Sequence, residues 1–159
     1  MKVRDLMRTP VITVPPTARV AEVAKLMVEN HASGLPVIDE DGALVGLVTQ
    51  EDVVAKHAKV HVPTYLGILG YALPFTSQDS DDDIRRILAV TAADLMTDRF
   101  VTIAPDRDVD EAATAMVDKH ANPLPVVENE TLVGIISRTD ILRLVLAEEE
   151  DGDQDARNV

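Results

Sequence analysis

Leu44-Val45-Gly46-Leu47-Val48-Thr49-Gln50-Glu51-Asp52 returns 88 positions later as Leu132-Val133-Gly134-Ile135-Ile136-Ser137-Arg138-Thr139-Asp140. In each copy an aliphatic strand passes through one glycine and ends on a hydroxyl residue, and a carboxylate follows three positions on, where a helix begins. Working outward, Leu35-Pro36-Val37 is matched by Leu124-Pro125-Val126, His31 by His120, Met27 by Met116, Glu22 by Glu111, and Asp5-Leu6-Met7 by Asp94-Leu95-Met96. The upstream offset is 89, so one residue has been lost where Asp39-Glu40-Asp41-Gly42 faces Glu128-Asn129-Glu130. A loop tip is where duplicated structure tolerates such a loss. About two in five aligned positions are identical, which marks an internal repeat.

Val11-Ile12-Thr13-Val14, closed by Pro15-Pro16, reads as a strand. Thr17 is expected to cap a helix with Val20, Val23, Ala24, Met27 and Val28 inward. Leu35–Ile38 and Leu44–Val48 flank the acidic turn as a hairpin, and a second helix runs from Glu51 to about Ala58. The second copy repeats the order with a strand at Phe100–Ile103 and a helix capped by Asp106, with Val109, Ala112, Ala113, Met116 and Val117 inward. Its hairpin is Leu124–Val127 with Leu132–Ile136, and its last helix runs from Thr139 to about Ala147. The fold class is α/β (α+β): two strand-helix-strand-strand-helix repeats packed with pseudo-two-fold symmetry, because about fifty residues alone bury too little surface. Repeat 1 spans 1–58, an inserted linker with an apolar segment and a short helix 59–90, repeat 2 91–147, and an acidic tail, expected to be disordered, 148–159.

Hydrophobic residues make up 46% of the 159 residues and aromatics 3%, so the core is built from Val, Leu, Ile, Ala and Met. Met27 and Met116 fit as core filler. The net charge of −13 argues against a nucleic-acid backbone or an anionic membrane surface as partner. Of this, −5 lies beyond Leu146, where six acids face one Arg157. The start has no apolar leader segment and no run approaches a membrane span, so a cytoplasmic protein is expected. The absence of cysteine excludes disulfides and thiolate chemistry. The insert segment Val62–Phe75 reads either as a loop folding onto its own domain or as an apolar lid or dimer surface. Asp79-Ser80-Asp81-Asp82-Asp83 reads as a helix start, and a magnesium site there would stand without a second ligand cluster.

No Gly-x-Ser-x-Gly elbow, Walker loop or Gly-x-Gly-x-x-Gly run occurs, and the four histidines lack zinc-ligand spacing, so neither an enzyme nor a resident metal is expected. The twin Gly-h-h-(Thr/Ser)-x-x-Asp elements remain, and they admit two readings. Thr49 with Asp52, and Ser137 with Asp140, can form ordinary capping boxes. Alternatively, the helix N-termini offer N–H groups to a phosphate, the carboxylates accept ribose hydroxyls, and Leu47 and Ile135 flank a flat base. His31 and His120 can contact ligand or simply close the preceding helices.

The two Asp-Leu-Met starts, the Leu-Pro-Val-(Ile/Val)-(Asp/Glu) strands and the Gly-h-h-(Thr/Ser)-x-x-Asp endings together resemble the tandem CBS-domain pair, or Bateman module, across about residues 1–58 and 91–147. The resemblance implies a non-enzymatic regulatory module that binds an adenosyl ligand (AMP, ADP, ATP or S-adenosylmethionine) in the cleft between repeats. By that analogy one pocket joins Ala32 and Ser33 with Ile135, Ser137 and Asp140, and the other joins Ala121 and Asn122 with Leu47, Thr49 and Asp52. Lys119, His120 and Arg138 are cationic or titratable where the first copy has Asn30, His31 and Gln50. The pocket around Ser137 and Asp140 is therefore expected to be the better phosphate binder. A homodimer acting on another protein in trans is expected. The alternative is an assembly module without ligand, dimerising through the repeat faces and the 62–75 insert.

Overall fold

The computed structural model describes residues 1–56 and 89–157, with side chains to residue 149. In chain order the elements are α1 (Val3–Leu6), α2 (Val20–Glu29), β1 (Gly34–Ile38), β2 (Leu44–Thr49), α3 (Gln50–Ala55), α4 (Ala92–Leu95), α5 (Val109–Asp118), β3 (Leu124–Glu128), β4 (Thr131–Ile136) and α6 (Arg138–Arg157). The apolar insert segment Val62–Phe75 and the helix start at Ser80 lie outside the described residues.

Each repeat is built on an antiparallel hairpin. Leu35 pairs with Val48 and Val37 with Gly46 in one, Leu124 with Ile136 and Val126 with Gly134 in the other, each with a bulge one residue further on. The lost residue has a local explanation in the turns. The first loop is held by Asp39, whose Oδ1 accepts from the Asp41 and Ala43 amides at 3.0 and 2.8 Å, with Gly42 at φ +83°. The second is a two-residue turn with Asn129 and Glu130 both at positive φ (49° and 64°), the geometry that matches strand twist.

Val14 and Ile103 each add only a single parallel bridge, to Val37 and Val126, rather than the full strands expected. Prolines explain the brevity. Pro15-Pro16 follows Val14, and Pro36 and Pro125 in the neighbouring strands have no N–H to give, so the bonds are limited to Val14 N to Pro36 O and Ile38 N to Val14 O, with matching bonds around Ile103. The helix starts also shift: Arg19 and Asp108 are the N-caps, two residues beyond Thr17 and Asp106. Val28 and Val117, expected inward, are 75% and 68% exposed, since Val20, Val23 and Met27, and Val109, Ala112 and Met116, already fill the buried stripe. The last helix continues to Arg157, so residues 148–157 of the tail expected to be disordered are helical; Leu-Ala-Glu-Glu-Glu contains good helix formers and no proline.

The halves of the fold are not the halves of the sequence. Helix α1 opens the chain, yet Val3 packs with Ala112, Met116, Leu124, Val126 and Ile136 of the second repeat. Reciprocally, Ala92 and Leu95 of α4 belong to the first core, with Val23, Met27, Leu35, Val37 and Val48. Backbone bonds fix this exchange: Val3 and Arg4 amides donate to Arg107 and Pro105, while Ala92 and Ala93 donate to Ala18 and Pro16. After each short helix the chain pairs with the other repeat's hairpin, Arg8 with Ile135 and Thr97 with Leu47. The methionine of each Asp-Leu-Met motif lies over the other repeat's glycine, Met96 on Gly46 and Met7 on Gly134, where an added Cβ would have to push the methionine aside. Gly34 likewise meets Pro123, bringing the two strand entries together.

Candidate ligand-binding clefts

Both capping boxes form. Asp52 Oδ2 accepts from the Thr49 amide and hydroxyl, each at 2.8 Å, and Asp140 Oδ2 accepts from the Ser137 amide and hydroxyl at 2.7 and 2.6 Å. The carboxylates are buried, 7% exposed at Asp52 and 2% at Asp140, and neither lines a cleft. Each fixes the strand-to-helix corner, and the strand leading into that corner forms a cleft wall.

Two composite clefts flank the pseudo-two-fold axis, of about 310 and 400 Å³, within reach of the small-molecule range. The first joins Leu47 and Thr49 of one repeat to Ala121, Asn122, Lys119 and His120 of the other, as the sequence predicts. The second joins Ala32 to Ile135, also as predicted. Ser137, 1% exposed, lines neither cleft, like the two carboxylates, because its hydroxyl is turned onto Asp140; three further placements differ. Ser33 lines the first cleft, because Ser33-Gly34 packs against Asn122-Pro123 at the axis. His31 lines neither, being the left-handed residue (φ 49°) after α2, where Ala32 N reaches back to Met27 O at 2.9 Å in a helix-closing motif. His120 has the same φ (50°) but faces the first cleft.

Arg138 is the third difference. It lies beside Ser137 in sequence but lines the Thr49 cleft: its amide donates to Asn122 Oδ1 (2.9 Å) and its guanidinium to the Met116 carbonyl (3.2 Å) at the end of α5. Lys119, His120 and Arg138 thus line the cleft with Thr49 and not the one with Ile135, beside which the sequence reading places them. The reason is the direction of the corner: residue 138 follows the hairpin and turns back over its own repeat's strand entry.

The residues that follow the Asp-Leu-Met motifs complete both clefts. Arg99, Phe100 and Val101 line the first, and Arg8, Thr9, Pro10 and Ile12 line the second. Leu47 with Val101, and Ile135 with Ile12, give each cleft a matched pair of aliphatic walls. Arg8 Nε sits 3.4 Å from Asp140 Oδ1, which Arg143 also approaches at 3.4 Å, and Arg8 NH2 reaches Ser137 Oγ at 3.5 Å. At the corresponding place in the first cleft stands Thr97. These residues were hidden from sequence reasoning by the exchange of α1 and α4, and the signal available was the duplicated Asp-Leu-Met itself. Among the described residues no helix is long and apolar enough to cross a membrane, and no group of three or more His, Cys, Asp or Glu side chains could hold a metal.

The CBS domain family profile matches residues 3–59 and 92–147, and the chain belongs to this family as a tandem CBS pair. It is 27% identical over 155 residues to the uncharacterized protein MJ1426 of Methanocaldococcus jannaschii, covering 92% of each chain. Among solved structures it is similar to CBSX2 in complex with AMP (TM-score 0.74, 27% identity, 92% of this chain and 97% of that one). The CBS domain pair of MJ0100, in complex with 5′-methylthioadenosine and S-adenosyl-L-methionine, superposes with a TM-score of 0.70 at 26% identity, over 93% of this chain and 98% of that one.

Proposed function

We propose that the protein is a non-enzymatic sensor that binds an adenosyl ligand such as AMP, ADP, ATP or S-adenosylmethionine between its two CBS repeats. The observation that carries this reading is the composite first cleft. Its lining brings together the aliphatic side chains of Leu47 and Val101 and the ring of Phe100, the one aromatic among the described residues. A flat base fits among such side chains. The strand entry at Ala121 and Asn122 offers backbone donors and acceptors to the base edge. The adenosyl ligands held by CBSX2 and the MJ0100 pair support the same chemistry here.

Since each cleft takes walls from both repeats, occupancy acts on their packing, and a ligand shifts the module only by binding one packing more tightly than another. The output passes to another protein, and the active form is a homodimer. Val28 and Val117, and Val54 and Leu142, are exposed at matching positions of the two repeats, and Leu142, Val145 and Leu146 form a stripe at helical spacing on α6. This patch suits a second copy.

Thermal melts with millimolar AMP, ADP, ATP and S-adenosylmethionine test the reading. A ligand at a hundred times its dissociation constant stabilises the fold by about 2.7 kcal/mol, several degrees in Tm. A melt that none of the four compounds moves supports the ligand-free assembly module instead.

A further inference from the structure

Building on the adenosyl reading, we infer that the two clefts are chemically unlike: the Thr49 cleft takes a phosphorylated adenosyl ligand, and the Ile135 cleft takes one whose 5′ substituent carries no phosphate. The duplication supplies the comparison. Lys119 in the first cleft corresponds to Asn30 in the second, and Arg99 corresponds to Pro10. Arg138 also turns into the first cleft, as does its counterpart Gln50, so the second receives neither. The first cleft therefore presents three cations against the single carboxylate of Glu51, in a chain whose net charge is −13. Arg99 and Lys119 make no ion pair with any described residue, so their charge is available to a ligand. Ser33 Oγ, buried on this side without a hydrogen-bond partner, adds a donor.

The second cleft is the reverse case. Its one charged lining residue is Arg8, and that charge is matched by Asp140, which is 3% exposed at the side chain and approached by Arg143 as well. Arg8 Nε is buried without a hydrogen-bond partner but lies 3.4 Å from Asp140 Oδ1, so a phosphate entering there would compete with that carboxylate for the guanidinium and would sit close to its buried charge. Apart from Arg8 that cleft is uncharged, with Thr9 and Asn30 beside Met7, Pro10, Ile12 and Ile135, which suits a thioether or an unsubstituted nucleoside. Cations placed on a phosphate make charge-assisted bonds, stronger than neutral ones, so the first cleft ranks ligands by phosphate number.

Calorimetric titration of the full chain with adenosine, AMP and ADP tests this, on the native protein and on an Arg99→Gln/Lys119→Gln double variant. Both side chains are exposed, and a matching melt of the unliganded variant checks its fold. In the native protein, ADP is expected to bind one site per chain about tenfold or more tighter than adenosine, while adenosine still fills a second site when ADP saturates the first. In the double variant the ADP preference falls to within about threefold and the second site is unchanged. An ADP preference that survives in the variant, or ADP filling both sites equally, overturns the inference and leaves the adenosyl reading standing. If no adenosyl compound binds the native protein, that reading falls and takes the inference with it.

Discussion

At the scale of single residues, Asp140 joins a capping box to an ion pair: its Oδ2 accepts from the Ser137 amide and hydroxyl while Arg8 and Arg143 approach Oδ1. Asp140→Ala removes a cap and strands part of a half-buried guanidinium, and its expected cost is about 2–4 kcal/mol. Urea unfolding of the variant checks this, and a loss under about 1 kcal/mol would contradict it. Asp94 is the other informative carboxylate. The Val90 amide, then the Thr91 amide and hydroxyl, donate to it at 2.9, 2.9 and 3.0 Å and hold its carboxyl below its ordinary value. A lowered folded-state value stabilises the fold above the unfolded carboxylate range and is lost as pH falls through the folded value. The Tm difference between the native protein and Asp94→Asn is therefore expected to hold steady down to about pH 5 and to shrink below about pH 4. A difference independent of pH would remove this role.

At the scale of elements, hairpins and principal helices were legible in the sequence because apolar period and turn residues agree in both copies. Three features were not. The strands at Val14 and Ile103 shrink to bridges because proline lies beside them, a cross-strand effect that no single stretch records. Helix starts moved to Arg19 and Asp108, whose amides lie in line with the exchanged segments; Arg19 bridges Thr91, and Lys2 bridges Asp108. The site was half legible: Leu47, Thr49, Ala121 and Asn122 converge as expected, but Arg8 and Arg99 enter only because α1 and α4 change places. That exchange makes the Met–Gly contacts a test. Gly46→Ala forces Met96 off the β2 surface, with an expected loss of about 1–3 kcal/mol, and Gly46→Ala/Met96→Ala costs less than the sum of the two single changes. Strict additivity in denaturant unfolding would show that the contact does not hold the repeats.

At the scale of the whole molecule, the exchange and the clefts have one cause. Each Asp-Leu-Met segment crosses to the other core, and the residues behind it run along the other hairpin to become a cleft wall. A ligand bound there would touch both cores at once, which is what the proposed sensor requires. The most direct measurement is a backbone-amide NMR titration of the full chain with AMP. The account predicts that the shifting resonances cluster at residues 47–50 and 97–101 together with 119–122, on both sides of the Thr49 cleft. No shifts, or shifts confined to the exposed faces of α2, α3, α5 and α6, would contradict it.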